Sequence, residues 1–311
     1  MRFLLIMAIL LSGICVNAQT RDDNLRMANE LMNERKWESA LQFLSGCIAR
    51  NGQFGEYHFL RGKCYAMLDA EEVAIISYSH AIEFAPDSAK YYFERAASFY
   101  IILEFSKSKS DYEQALSLYK TASDSASIIA HLGMTNLHLG DTALAIQQFH
   151  RAINLDSASA EAYVHYSILL VATGEFERAL KYLNTALNLD STSIFVWSNL
   201  GYTNTCIGDY QKAMSYFEKC ILIDPDHPFN YSNRGYCKLM LGDTLGALRD
   251  VEHSLRKYAR NSYAWRNLGM IYLAQGDPIN ACAAFSASLE RGFTKLYGNE
   301  VLQLQQKHCR Q

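Results

Sequence analysis

A short pattern of small residues returns along this chain with a period of 34 residues. Each period has a small residue, an alanine twelve positions later and another small residue seven after that, as in Gly201, Ala213 and Cys220; the third period has Ser108 in place of the alanine. A unit of this length is too small to fold alone, and it completes a core by stacking on its neighbours. The pattern therefore predicts a solenoid of repeats and argues against most enzyme folds.

Eight such repeats are predicted, with positions numbered 1 to 34 in each. Apolar or small residues at positions 4, 8 and 11, and again at 20, 24 and 27, have the spacing of one helical face. Each repeat is thus predicted to form two amphipathic helices, with a small residue at position 8 packed against a bulky one at position 24. A final helix over 296–311 is expected to cap the array. The repeats are 21–54, 55–88, 89–122, 126–159, 160–193, 194–227, 228–261 and 262–295.

The turn inside most repeats has its own signature, a glycine followed by an acidic residue. Glycine readily takes the left-handed conformation that ends a helix, and the acidic side chain is expected to cap the next helix. The pattern occurs at Gly140-Asp141, Gly174-Glu175, Gly208-Asp209, Gly242-Asp243 and Gly276-Asp277.

Residues 194–227 carry these features most completely. They contain Val196-Trp197-Ser198-Asn199-Leu200-Gly201-Tyr202, then Gly208-Asp209-Tyr210, Ala213, Phe217, Cys220 and Asp224-Pro225. This segment closely resembles the tetratricopeptide repeat, and the resemblance extends over residues 21–295. It implies an all-α, right-handed superhelical solenoid in which the first helix of each hairpin lines the inner, concave surface. Some members bind the acidic C-termini of chaperones through a lysine, asparagine and arginine clamp; the corresponding positions here hold Leu25, Asn29, Phe59 and Lys63, so no such clamp is expected.

The third repeat departs from the pattern. Its turn reads Leu103-Glu104-Phe105, a run rich in serine and lysine follows, and the extra residues Ser123-Asp124-Ser125 precede the next repeat. This interruption predicts a loosened turn, and a hinge over 104–125 between repeats 1–3 and 4–8 is the alternative.

The first 18 residues have the features of a secretory signal peptide. Arg2 precedes an apolar run from Phe3 to Leu11, and Val16 and Ala18 are the small residues before a cleavage site. The run is too short to span a bilayer, which needs about 20 apolar residues, so an exported protein without an integral membrane span is expected. Lipidation at Cys15 is less favoured because Ile14 precedes it.

The amino-acid composition limits the kinds of partner that this protein is expected to bind. Half of the residues are apolar and a fifth are charged, and the net charge is −3 with no basic stripe, so nucleic acid is not expected as a partner. Of the seven cysteines left after cleavage, at least one is free or pairs between molecules, and disulfides Cys206–Cys237 and Cys282–Cys309 both remain open. The seven are Cys47, Cys64, Cys206, Cys220, Cys237, Cys282 and Cys309.

No glycine-rich phosphate loop, HExxH, GxSxG or paired-cysteine motif is present, so we expect no catalytic centre and no cofactor. The concave surface of repeats 4–8 is the predicted partner-binding site. Position 6 there provides a row of hydrogen-bonding side chains that could hold an extended peptide, or that could simply be solvated. The row is His131, His165, Asn199, Asn233 and Asn267.

Aromatic side chains lie beside this row at positions 2 and 9. They are candidate anchors for a partner, and packing between adjacent repeats is the alternative. Arg266 could hold a carboxylate of the partner, although a lone arginine is often only solvated. The aromatic residues are Phe195, Tyr202, Phe229, Tyr236 and Tyr263.

Three histidines, His131, His138 and His165, also face this surface, and a pH-sensitive contact is conceivable. A metal site is not expected, because His131 and His138 are about 10.5 Å apart along one helix. The sequence thus predicts a non-enzymatic scaffold that binds a peptide or protein in its groove. The alternatives are an assembly module of a cell-envelope complex, held through its convex face, its ends or a cysteine, and an enzyme centred on the three histidines.

Overall fold

The computed structural model describes residues 20–119 and 121–309, and these residues form eighteen helices and no strand. The predicted signal peptide, with Cys15, lies outside the described residues. The helices are α1 (20–33), α2 (Trp37–Arg50), α3 (Gly55–Met67), α4 (Glu71–Phe84), α5 (Ala89–Ile101), α6 (Phe105–Leu118), α7 (Ala122–His138), α8 (Thr142–Leu155), α9 (Ala160–Ala172), α10 (Phe176–Leu189), α11 (Ile194–Ile207), α12 (Tyr210–Ile223), α13 (Pro228–Met240), α14 (Thr244–Lys257), α15 (Ser262–Ala274), α16 (Pro278–Glu290), α17 (Phe293–Tyr297) and α18 (Glu300–His308).

The first sixteen helices pair as eight hairpins, one for each 34-residue period. The predicted all-α fold of helix-turn-helix repeats is confirmed. The chain divides into two compact units at residue 120. The first unit holds α1 to α6, and the second holds α7 to α18. Within the described residues, no helix combines the length and the apolar character that crossing a bilayer requires.

The turn inside each hairpin places one residue in the left-handed region. In the second unit this residue is always glycine, with φ between 77° at Gly276 and 91° at Gly208. In the first unit it is Arg35, Asp69 or Leu103, with φ between 57° and 65°. The same geometry therefore forms with and without glycine.

The loosened turn predicted in the third repeat is wrong. The amide of Leu103 donates to Tyr100 O at 3.0 Å and that of Glu104 to Phe99 O at 2.8 Å. These are the bonds that Gly140 and Asp141 make to Leu137 and Asn136 in the next repeat. Helix α6 then runs without a break to Leu118.

The three extra residues before the fourth repeat are helical. Helix α7 begins at Ala122 and has 17 residues, whereas the equivalent α9 has 13. The Thr121 hydroxyl accepts from the amide of Asp124 at 3.2 Å and so caps the extension. The insertion therefore lengthens a helix, and the hinge over 104–125 stays a prediction.

In each hairpin the small residue at position 8 packs against the large residue at position 24, as the sequence pattern predicts. A Cβ added at Gly201 would lie 2.6 Å from the Phe217 ring, and one at Gly269 would lie 2.4 Å from Phe285. Both rings are fully buried. The two backbones of a hairpin approach so closely here because no side chain separates them.

The C-terminal segment forms two short helices where one was predicted over 296–311. Helix α17 ends before Gly298, whose φ is 80°, and α18 follows. Phe293 and Val301 are fully buried against Phe285 of the last repeat, so the segment does cover the end of the core.

A disulfide joins α16 to the end of α18. Cys282 and Cys309 are bonded with their Cα atoms 5.7 Å apart, which decides between the two pairings that the sequence left open. Cys206 is an exposed free thiol, and Cys237 is buried and free.

Candidate functional site

All the predicted binding residues lie on the first helices of the repeats in the second unit. The structure places all of them except Asn267 in three groups, which we call the histidine cluster, the phenylalanine surface and the tail cluster. The histidine cluster is His131, Glu161 and His165; the phenylalanine surface is Phe195, Asn199, Phe229 and Asn233; the tail cluster is Tyr202, Tyr236, Tyr263 and Arg266 with Tyr297 and Glu300.

The histidine cluster joins two neighbouring repeats through one carboxylate. Glu161 and His165 are one turn apart on α9, and His131 comes from α7. Glu161 Oε1 lies 3.3 Å from His131 Nε2 and 3.8 Å from His165 Nε2, and the two imidazole rings are 5.0 Å apart. Glu161 Oε2 accepts from the Ser127 hydroxyl at 2.9 Å. The carboxylate is thus held in place by a serine while its other oxygen faces both histidines.

Burial makes the protonation states in this cluster unequal. His165 is 7% exposed, and burial lowers its pKa below the ordinary value of 6.5. Neither of its ring nitrogens has a hydrogen-bond partner among the described residues, since 3.8 Å to Glu161 is too long for one. Burial by itself raises the pKa of Glu161, but the two neighbouring imidazoles outweigh it and hold that pKa well below its usual range. The cluster is therefore an ionised carboxylate beside a buried, neutral imidazole.

A pocket of about 520 Å³ opens beside the cluster. The Phe195 ring forms one wall, 5.5 Å from the His165 ring. Asp190 on another wall has a pKa lowered by hydrogen bonds from the Thr192 hydroxyl and amide, and so adds a second negative charge. The cluster is thus accessible from the pocket.

The three asparagines predicted to form a ladder have three different environments. Asn267 is fully buried, and its Nδ2 donates to Ser232 O of the preceding repeat at 3.0 Å. Asn199 is half-buried, and its Nδ2 donates to Phe195 O on its own helix at 2.8 Å. Asn233 is also half-buried, and its side chain makes no hydrogen bond to another described residue. The prediction that Asn267 contacts a partner is therefore wrong, because this buried side chain forms a hydrogen bond between two repeats.

The aromatic residues also separate into two groups. Phe195 is 41% exposed and Phe229 is 39% exposed, at the same position of consecutive repeats. Tyr202, Tyr236 and Tyr263 are more covered. Burial raises the pKa of Tyr202 and Tyr263 above the usual value for tyrosine.

The prediction that Arg266 offers its guanidinium to a partner carboxylate is wrong. The side chain is buried, and its Nη2 already donates to the Glu300 carboxylate of α18. Its Nη1 donates to Asn267 Oδ1 at 2.9 Å, and the guanidinium lies 4.7 Å from the centre of the Tyr236 ring. The carboxylate that the sequence assigned to a partner therefore comes from the same chain.

The C-terminal segment also covers Tyr263. The Phe293 ring stacks on Tyr263 with centroids 6.4 Å apart, and Tyr297 lies 5.5 Å from the same ring. Two of the three predicted binding residues of the last repeat, Tyr263 and Arg266, are therefore already in contact with α17 and α18.

Glu161 is the residue of the histidine cluster that the sequence analysis did not single out. It occupies position 2 of its repeat, where the next three repeats carry Phe195, Phe229 and Tyr263. Position 2 is also acidic in the first two repeats, at Asp22 and Glu56, so the acidic residue alone is no signal, but its spacing of four residues before a histidine was one that could have found it. The 34-residue period also places His131 one repeat earlier at the same position as His165.

Comparisons with known proteins agree with this architecture. Family models described as "Tetratricopeptide repeat" match residues 136–197, 196–227 and 238–292. The chain has the tetratricopeptide-repeat fold. Proteins with this fold are in general non-enzymatic scaffolds for protein–protein interaction.

Two solved structures share the tetratricopeptide-repeat arrangement. One is a tetratricopeptide repeat protein from Parabacteroides merdae, with 17% identity and a TM-score of 0.56 over 81% of this chain and 98% of that one. The other is the APC/C hetero-tetramer Cut9–Hcn1, with 14% identity and a TM-score of 0.61 over 90% of this chain and 55% of that one. At these identities the likeness shows the fold alone.

Among curated proteins, the DnaJ homolog subfamily C member 7 of Mus musculus and that of Homo sapiens are each 34% identical over 100 residues. The match covers 32% of this chain and spans about a fifth, 19%, of each relative.

Proposed function

We propose that this protein is a non-enzymatic scaffold that binds a peptide or protein partner along the first helices of the repeats in its second unit. The observation that carries the proposal is the phenylalanine surface. Phe195 and Phe229 each leave about two-fifths of their surface exposed, although α11 and α13 already bury residues such as Val196 and Ser232 in the core. Repeated exposure of a large ring at one position marks a candidate binding surface.

Such rings suit the role of anchors. A phenylalanine buries a large apolar area on binding and loses few rotamers. Asn199 and Asn233 lie one turn further along the same helices. The Asn199 oxygen and both polar atoms of Asn233 can hydrogen-bond a peptide backbone whatever its side chains. The two asparagines would then set the register of a partner that the two rings hold.

The proposed surface ends before the last repeat. Glu300 and Tyr297 already contact Arg266 and Tyr263 there, and Asn267 is buried. The partner is therefore expected on α7, α9, α11 and α13, and a protein or peptide is favoured over nucleic acid because the net charge is −3.

Site-specific photo-crosslinking tests this proposal. A photoreactive phenylalanine analogue is introduced in place of Phe195 or Phe229, and crosslinked proteins are identified by mass spectrometry after irradiation of native cells. We expect the same protein from both positions. No crosslink from either position, under conditions where the outer positions named below do react, would reject the phenylalanine surface.

The alternative, an assembly module held through its outer helices, has an observation of its own. Leu245 and Ile279 occupy position 18 of the last two repeats and are 68% and 76% exposed. The same position holds Glu38, Glu72 and Glu177 in other repeats. On α14 and α16 this exposed position is therefore apolar, whereas it carries a charge in those three repeats. The crosslinker at Leu245 and Ile279 is the matched comparison, and a partner captured only from these two positions favours the assembly module.

We also propose that the chain is exported. The N-terminal pattern supports this, and so does the Cys282–Cys309 disulfide, because such bonds persist mainly in oxidising compartments. Sequencing the N-terminus of the mature protein tests the proposal. A start at Gln19 is expected; an intact Met1, or a lipid-modified Cys15, would reject cleavage after Ala18.

A further inference from the structure

We propose that His131, Glu161 and His165 bind a divalent transition-metal ion, with zinc as the first choice. The site would have three protein ligands and one position open to the adjoining pocket. The site adjoins the proposed partner surface, since Phe195 lines the same pocket, but the ion needs only the side chains of α7 and α9, so metal binding can be tested without the partner.

The spacing of the three side chains suits such an ion. Two ligands of a tetrahedral zinc ion at 2.0–2.1 Å are about 3.3 Å apart. Glu161 Oε1 lies 3.3 Å from His131 Nε2 and 3.8 Å from His165 Nε2, and one ligand atom from each of the three residues falls within 4.8 Å of the others. The two carboxylate–imidazole distances need to change by at most about 0.5 Å, and the imidazole nitrogens, which lie within 4.8 Å, need to approach by at most about 1.5 Å, a change that rotation of the rings can provide.

A separate observation comes from the buried imidazole. His165 is more than nine-tenths buried, and both ring nitrogens lack hydrogen-bond partners among the described residues. A buried polar group without a partner is costly, commonly about 1–3 kcal/mol. Coordination of a metal ion by Nε2, which faces the Glu161 carboxylate, would satisfy that nitrogen.

The charges around the cluster and the contacts that hold its carboxylate also favour the binding of a cation. A metal needs a neutral imidazole and an ionised carboxylate, so zinc binding is expected to weaken as the pH falls. The Ser127 hydroxyl fixes the carboxylate through its second oxygen, as groups behind metal ligands commonly do. Asp190 on the pocket wall adds negative charge where a cation would enter.

The separation of His131 and His138 along one helix does not exclude a metal site. His131 and His138 are separated along α7, but the solenoid places His165 of the next repeat beside His131, with rings 5.0 Å apart. Three protein ligands are fewer than the four of a closed zinc site, so the fourth position would hold water or a carboxylate from a bound molecule.

Calorimetric titration with zinc chloride tests the proposal on the full-length mature chain carrying Cys206→Ser, which removes the exposed free thiol. The protein is stripped with a chelator beforehand and carries no histidine tag. We expect one zinc per chain, and at least a tenfold loss of affinity in Glu161→Gln and in His131→Asn. His138→Asn, on the same helix as His131 but outside the cluster, is the matched control and should bind as the parent does.

Cobalt(II) provides a second readout that does not depend on the variants folding equally well. The parent protein should give the visible absorption of a four-coordinate Co²⁺ ion without a thiolate charge-transfer band, and one equivalent of zinc should abolish it. Absence of one-to-one zinc binding would overturn the proposal. Unchanged affinity in both Glu161→Gln and His131→Asn, or a thiolate band in the cobalt spectrum, would do so as well.

Discussion

Arg35 shows at the residue scale how the two units differ. It is exposed and has a φ of 57°, in the turn position that glycine occupies throughout the second unit. A side chain in this conformation is strained by about 1–2 kcal/mol because its Cβ crowds the backbone. The first unit accepts that strain in all three of its turns.

Replacing this side chain should stabilise the protein. We expect Arg35→Gly to raise the unfolding free energy by about 0.5–1 kcal/mol, the relief of strain less the added freedom of the unfolded chain. The reverse change, Gly208→Ala, should lower it by about 1 kcal/mol, since a Cβ there meets no atom within 4 Å and only the backbone is strained. Urea unfolding followed by circular dichroism measures both, and shifts of the same sign would contradict this reasoning.

His58 makes the first unit sensitive to acid. Burial, and the nearby charges of Arg61 and His80, lower its pKa below 6.5, although the Gly52 carbonyl that its Nε2 contacts at 2.8 Å works in the opposite direction. The unfolded chain therefore takes up this proton at a higher pH than the folded one. The stabilising contribution is complete above pH 6.5 and is lost as the pH falls towards the lower, folded-state pKa.

We accordingly expect the unfolding midpoint to fall between pH 7.5 and 5.5, and to fall less in His58→Gln. Denaturant titrations at several pH values provide the comparison. The slope that remains in the variant belongs to the other histidines whose pKa burial lowers, among them His138 and His227. Identical pH profiles for variant and parent would show that His58 contributes nothing.

Sequence reasoning was weakest for residues whose partners lie far along the chain. The close pairs Gly201–Phe217 and Gly269–Phe285 could be predicted, because both members sit at fixed positions of one repeat. The burial of Arg266 could not, because its partner Glu300 lies beyond the last repeat, where the period gives no register. The role of Glu161 depends in the same way on His131 from the preceding repeat.

At the scale of helices, the N-terminal caps depend on the length of the acidic side chain. Asp243 accepts from the amide of Gly246 at 2.8 Å, as Asp141, Asp209 and Asp277 do at their own helices. Glu175 makes no such bond, and its carboxylate instead contacts Arg178. The cap predicted at Glu175 is therefore wrong, because the extra methylene group places its oxygens elsewhere.

This difference can be measured. Asp243→Ala should cost about 1 kcal/mol of stability, the usual contribution of a side-chain cap. Glu175→Ala, at the same position two repeats earlier, should cost less than about 0.5 kcal/mol, since exposed ion pairs contribute little. Thermal unfolding of the two variants compares them directly, and equal losses would show that the hydrogen bond itself does not matter.

The insertion before the fourth repeat shows why such segments are difficult to predict. Ser123, Asp124 and Ser125 are poor helix formers in a helix interior, so their composition suggested a loop. The same residue types are favourable in the first turn of a helix, where the Thr121 side chain accepts from the Asp124 amide. Whether such residues form a loop or a helix depends on their distance from the helix start. The sequence did not reveal where that start lies.

For the molecule as a whole, the period of 34 residues was sufficient to predict the fold. Every hairpin repeats one arrangement of small and large residues, and Trp197 and Trp265 even donate to carbonyls six residues earlier in equivalent turns. The C-terminal segment has no internal repeat, so its two helices and its disulfide had to be seen in the structure.

The disulfide should stabilise the end of the second unit. Closing a loop of 27 residues contributes about 3–4 kcal/mol in the chain-entropy model, an upper limit where the segment can detach locally. We expect the double variant Cys282→Ser/Cys309→Ser to melt at a lower temperature and to lose amide protection in α18 first. Cys206→Ser is the control and should change neither property. An unchanged melting temperature in the double variant would mean that the packing of Val301 and Phe293 is sufficient.

Helices α17 and α18, which the disulfide fastens to α16, also limit which surface the last repeat can offer to another molecule. In an array of identical hairpins, each hairpin packs an apolar surface against the next one, and the last hairpin leaves that surface exposed. A second molecule could dock on it and start a filament. Here Phe293 and Val301 fill that surface, and the Cys282–Cys309 bond keeps them from swinging away. We therefore expect addition of a second molecule at this surface to be disfavoured, and reduction of the disulfide to make the surface available again.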